Sequence, residues 1–166
     1  MSHTISESMD WQLWFYWIMA TTLGWLIGNI FFQGLPTIIS GVIIAAMQSF
    51  VLFKRIQKAW RWVILSFLGW IGGYILVIIF FPRMNFLIGP VVGGAVGIMQ
   101  WLLLRNEVDW AAWWILISLI AWTTGLVIVP GLLSSGTLPG ALTGLVLVIL
   151  FRFSPVRGKN GTADRQ

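Results

Sequence analysis

Charge is absent from four long stretches of this chain: Trp11 to Phe53 (43 residues), Trp62 to Pro82 (21), Met84 to Leu104 (21) and Trp110 to Phe151 (42). A helix that crosses a bilayer needs about 20 apolar residues, so each 21-residue stretch predicts one span and each longer stretch a pair. The first long stretch is expected to break at Gln33-Gly34-Leu35-Pro36. The second is expected to break between Pro130 and Pro139, through Ser134-Ser135-Gly136. The reading is an all-α integral membrane fold of six transmembrane helices. Its last span, Leu138 to Phe151, has only 14 residues of its own and must borrow from the preceding loop or sit short in the bilayer.

Composition excludes the alternatives. With 58% apolar and 9% charged residues the chain could not cover a soluble fold, and no cysteine and one histidine, His3, leave no disulfide framework or zinc site. The basic residues are divided unevenly between the two sides. Lys54, Arg55, Lys58, Arg61, Arg105, Arg152, Arg157, Lys159 and Arg165 fall on one side and Arg83 alone on the other, which predicts cytoplasmic termini. The net charge of +5 then serves topology and attraction to anionic head groups rather than nucleic acid. Residues 1–10 read as a polar tail, 11–153 as the membrane domain and 154–166 as a disordered cytoplasmic tail. The setting expected is a bacterial inner membrane or a thylakoid.

The odd-numbered spans repeat. Trp17, Trp25 and Gly28 recur as Trp62, Trp70 and Gly73 and again as Trp114, Trp122 and Gly125, keeping the spacing W-x7-W-x2-G. In the even spans Gly41, Ala45 and Gln48 recur as Gly93, Gly97 and Gln100, and the sequence aligns Gly140, Gly144 and Leu147 with them. Three tandem helical hairpins follow (about 11–55, 60–105 and 110–153), and a pseudo-threefold axis along the membrane normal is the arrangement expected of them. Small residues four apart mark each span, among them Gly24/Gly28, Gly69/Gly73, Gly89/Gly93/Gly97 and Gly140/Gly144. These are read as close-packing faces, equally able to dock a further subunit. On that reading, leucine at Gly93 and Gly97 abolishes association and spares insertion.

Among the tryptophans, Trp11, Trp14, Trp17, Trp60, Trp62, Trp110, Trp113 and Trp114 stand at the entry of odd spans and read as an interfacial belt. Trp25, Trp70 and Trp122 lie two turns deeper, where an indole N–H needs an acceptor. With Gln48 and Gln100, whose amides are costly in hydrocarbon unless bonded, they form the candidate ligand-binding set. An amide oxygen coordinating a pigment magnesium is one version of that role. Asp10 and Asp109 directly precede Trp11 and Trp110 and read as helix N-caps. No span holds an ionisable residue, which argues against pumping, and no nucleophile–base pair or metal set can be assembled, which argues against catalysis.

The run Gly93-Gly94-Ala95-Val96-Gly97-Ile98-Met99-Gln100-Trp101-Leu102-Leu103-Leu104-Arg105, followed by Trp113-Trp114, resembles small polytopic membrane proteins of cyanobacterial and Chloroflexi type. These are built from tandem G-x-x-Q-W-L-x-L-R hairpins. The resemblance spans Trp11 to Phe153 and implies architecture without an activity. In size, span number and scarcity of charge the chain is also similar to the substrate-binding components of energy-coupling-factor vitamin transporters. Ala20, Gly24 and Gly28 resemble their small-residue docking face, whereas the threefold repeat departs from their pattern. Two functions follow as expectations. One is a non-enzymatic accessory or scaffold subunit of a membrane complex or homo-oligomer; the other is a binder or carrier of a vitamin, quinone, pigment or lipid, with no particular cofactor specified.

Overall fold

The computed structural model describes residues 10–32, 38–56 and 58–153, and every regular element within them is a helix. Six helices follow one another: α1 (Trp11–Phe31), α2 (Ile38–Leu52), α3 (Trp60–Phe80), α4 (Ile88–Leu104), α5 (Trp113–Thr123) and α6 (Ser134–Phe153). A single 3-10 turn, Asn85–Leu87, leads into α4, and α5 runs on through a wider π turn, Thr124–Ile128. Four segments are long and apolar enough to cross a membrane (Trp11–Phe31, Trp60–Phe80, Asn85–Leu104 and Ser134–Phe153), and Ile38–Leu52 and Trp113–Ile128 are shorter apolar helices. The chain is a multi-pass membrane bundle. The tails at 1–9 and 154–166, and the expected break at Gln33 to Pro36, lie outside the described residues.

Each helix packs on its neighbours in the chain, and α6 packs on α1. Glycine decides how closely. A Cβ on Gly24 would lie 2.7 Å from the Ile44 Cα, one on Gly69 2.6 Å from the Val96 Cα, and one on Gly89 2.7 Å from the Thr123 Cα. Backbone therefore meets backbone, and the dispersion contacts of that approach replace what lipid cannot supply. Gly93 and Gly97 press on α5 in the same way (Ser118 O at 2.7 Å, Ser118 Cβ at 2.9 Å), so leucine at these positions splits this chain's own α4–α5 seam. Docking to another subunit is not what such a substitution would test.

The last span borrows from the preceding loop rather than sitting short: α6 is a 20-residue helix beginning at Ser134, with Pro139 inside it. The proline is accommodated because Gly125 leaves room for its ring; a Cβ there would lie 2.7 Å from the Pro139 Cγ. Two local expectations are corrected. Asp10 caps α1, accepting from the Leu13 N–H at 3.0 Å, whereas the N-cap position of α5 falls at Ala112, three residues beyond Asp109. The chain first turns through Trp110 at φ 61°, and α5 begins at Trp113. Lys58, in the matching connection before α3, adopts the same φ of 61°. Finally, Trp17, Trp62 and Trp114 do not join an outward-facing belt: they are 0%, 0% and 1% exposed, whereas Trp11, Trp60, Trp110 and Trp113 do face outward.

Candidate functional site

The residues with any chemistry to offer converge where α1, α3 and α5 face one another. Trp17, Trp62 and Trp114 meet edge to face in a triangle, with ring centroids 5.6, 6.0 and 5.7 Å apart. That geometry sets the positive rim of each indole against the negative face of the next. Two turns deeper, Trp122 lies 4.9 Å from Trp70 and 6.4 Å from Trp25, and Tyr74 stacks on Trp70 at 6.1 Å. Two tryptophan layers thus fill the centre of the bundle.

Each indole of the first layer is bonded across a seam. Trp62 Nε1 donates to Gln48 Oε1 (3.1 Å), and Gln48 Nε2 donates to Thr21 Oγ1 (2.9 Å). Trp114 Nε1 donates to Gln100 Oε1 (2.9 Å), and Gln100 Nε2 donates to Ser66 Oγ (2.8 Å). Each glutamine therefore ties the tryptophan of the following hairpin to the hydroxyl one turn beyond the tryptophan of its own. At the third seam Trp17 Nε1 donates to Thr143 Oγ1 (2.9 Å), which in turn donates to the Pro139 carbonyl (2.5 Å). Threonine is too short to reach further. Ser118, the counterpart of Thr21 and Ser66, is left buried with no partner, as is the Trp25 indole N–H in the second layer.

These contacts correct the alignment of the third hairpin. A Cβ on Gly97 would meet the Ser118 Cβ and Ile115 Cα, and one on Gly140 meets the equivalent Thr21 Cβ and Ile18 Cα. Gly93 and Gly136 match likewise, against Trp122 and Trp25. Gly140 thus pairs with Gly97, Thr143 with Gln100, and Leu147 with Leu52 and Leu104; all three leucines are 0% exposed. Aligning Gly140 with Gly93 by sequence put the third hairpin one helical turn out, so that Leu147 stood in for the glutamine. Gly144 lies instead against Trp17 and Trp14.

Between the two tryptophan layers is a void of about 10 Å³, bordered by Gln48, Ser66, Gln100, Ser118 and Thr143. It has room for no more than one water-sized molecule. The amides of Gln48 and Gln100, expected to meet a ligand, have their oxygen and nitrogen engaged by Trp62, Thr21, Trp114 and Ser66. Of the other polar groups, Asn29 donates to the Trp25 carbonyl and to Ser40, while Thr123 and Thr124 bond back to carbonyls of their own helix. Among the described residues no group of three or more His, Cys, Asp or Glu could hold a metal ion. Sequence reasoning missed the hydroxyls at Thr21, Ser66 and Ser118, although a readable signal existed: each follows its repeat tryptophan by one turn, as W-x3-[ST]-x3-W-x2-G. Compared with protein-family models, curated proteins and solved structures, the chain finds no match.

Proposed function

We propose that this chain is a non-enzymatic membrane scaffold or accessory subunit: six spans in three tandem hairpins, arranged with pseudo-threefold symmetry, closed on themselves and working through the outer surface. The observation that carries this reading is the filled axis. A void of about 10 Å³ between two tryptophan layers is too small to hold a vitamin, quinone or pigment along the axis of the bundle. The small-residue faces support it as well, because each is spent on a neighbouring helix of the same chain. The outer surface is large and apolar by contrast, with Phe15, Ile78, Phe80 and Trp113 among the side chains turned outward. Nine basic residues on one side orient both termini toward the cytoplasm in this reading.

The test is extraction from the native membrane in mild detergent, weighing of the intact species by native mass spectrometry and analysis of its small molecules. A stoichiometric protein partner is expected. A lone chain carrying a defined small molecule that is lost in a Gln48→Leu, Gln100→Leu double variant would overturn the proposal in favour of a ligand carrier.

A further inference from the structure

Two outward grooves occupy matching places in the first and third hairpins, and they differ at one end. Between α1 and α2 a groove of about 500 Å³ is lined by Tyr16, Met19, Leu23, Ala46, Met47 and Phe50. Toward the basic end of the bundle it runs into a recess of about 450 Å³ that shares Tyr16 and Phe50 and adds Gln12, Lys54 and Arg55. Between α5 and α6 a groove of about 480 Å³ is lined at matching positions by Trp113, Leu116, Ile120 and Val146. In the packing register described above, Ile149 and Leu150 stand there in place of Lys54 and Arg55, and Asp109 in place of Gln12. One fold element thus appears twice, once with a cationic mouth and once with an apolar and acidic one.

We propose that the α1–α2 groove binds one molecule of an anionic phospholipid, an acyl chain lying against Ala46 and Met47 and the phosphate meeting Lys54. Charge complementarity carries the assignment. Arg55 is paired with Asp10, and Lys54 is exposed and without an ion pair among the described residues. A lysine at the end of an apolar groove lays its methylene stem along that surface and presents its ammonium at head-group depth. An anionic head group gains there and a zwitterionic one does not. The α5–α6 groove offers the same apolar shape without the cation, so it accepts an acyl chain with no preference for the head group. This inference is independent of the scaffold reading, since a ligand carrier of the same fold would keep the groove.

The experiment titrates the full chain in detergent with phosphatidylglycerol or phosphatidylcholine of identical acyl chains and counts bound lipids by native mass spectrometry. Phosphatidylglycerol is expected to be retained at least five-fold more tightly. Lys54→Gln should lower that retention about five-fold, the factor one basic residue contributes at an anionic surface, while leaving phosphatidylcholine unchanged and while Lys54→Arg keeps the preference. Ala46→Trp, filling the groove, should remove the bound lipid, and Val146→Trp in the matching groove should not alter the preference. Equal retention of the two lipids, an inert Lys54→Gln, or loss of the preference in Val146→Trp would overturn the assignment. The Lys54 variants change only an exposed side chain, so they decide the matter even if Ala46→Trp does not fold.

Discussion

Replacing Gln100 in steps should cost stability in proportion to the number of buried polar groups left without a partner. Gln100 Oε1 accepts from the Trp114 indole and Gln100 Nε2 donates to Ser66 Oγ, all within the buried interior. Gln100→Thr rebuilds the chemistry of the third seam: the hydroxyl can still accept from Trp114, and only Ser66 is orphaned. Gln100→Leu orphans both groups. A buried hydroxyl or N–H without a partner costs about 1–3 kcal/mol, and interhelical bonds in bilayers average nearer ~0.6 kcal/mol. The expected losses are therefore roughly 1–2 kcal/mol for threonine and roughly 2–4 kcal/mol for leucine. The decisive comparison is Ser66→Ala. In the native background it removes a partner from Gln100 and should cost about 1 kcal/mol, whereas in the Gln100→Thr background it deletes the orphan and should be neutral or stabilising. Unfolding in bicelles, followed by tryptophan fluorescence against rising denaturing detergent, reads all five proteins. If Ser66→Ala costs the same in both backgrounds, or leucine costs no more than threonine, then volume rather than hydrogen bonding governs the axis.

Three further perturbations follow from particular contacts. Gly72 and Gly73 are neighbours in α3, yet a Cβ on Gly72 meets nothing within 4 Å while one on Gly73 would lie 2.7 Å from the Val92 Cα. In the same unfolding assay Gly72→Ala should gain up to about 1 kcal/mol of helix propensity and Gly73→Ala should lose roughly 1–3 kcal/mol to overpacking. Lys58→Gly should stabilise by about 1 kcal/mol, because an exposed side chain held at φ 61° pays a steric cost that glycine does not. Asp10→Asn keeps an acceptor for the Leu13 N–H and should lose under ~0.5 kcal/mol, while Asp10→Ala should lose about 1 kcal/mol with the cap. Thermal melts at low and high salt separate the two, since only the ion-pair part with Arg55 is screened.

Helices and their number were readable because hydrocarbon forbids charge and demands continuous apolar length, and the four uncharged stretches record both constraints. The close approach of neighbouring helices was legible in the glycines for the same reason. The third hairpin was misread because α5 winds wider at Thr124–Ile128 and Ser134 starts α6 earlier than a proline-based boundary allows. Pro139 was taken as a breaker, yet Gly125 opposite it makes room for the ring, a compensation between residues on different helices. The tryptophan belt was right about the outward direction of Trp11, Trp60, Trp110 and Trp113 and wrong about Trp17, Trp62 and Trp114. Trp14 and Trp17 differ by three positions on one helix, and position along the helix was legible while direction around it was not. That direction was encoded in the repeat, since Trp17, Trp62 and Trp114 hold one register and Trp11, Trp60 and Trp110 do not. The polar centre was half visible: two glutamines announced themselves, but the serine and threonine partners are too common in helices to stand out singly.

The contact of α6 with α1 also bears on how the chain could be made and remade. Two of the three tryptophan seams join hairpins adjacent in the chain, so each can close once the next hairpin has been inserted. The third joins Trp17 to Thr143, 126 residues later, and stays open until the last helix arrives. Asp10 at the head of α1 and Phe151 and Arg152 at the foot of α6 border one recess, so the two ends of the bundle adjoin. In the proposed threefold arrangement no hairpin is intrinsically first. Linking those ends and opening the chain at Arg105 to Asp109 would give a circular permutant whose threonine seam forms between consecutive hairpins and whose glutamine seam at Trp114 closes last.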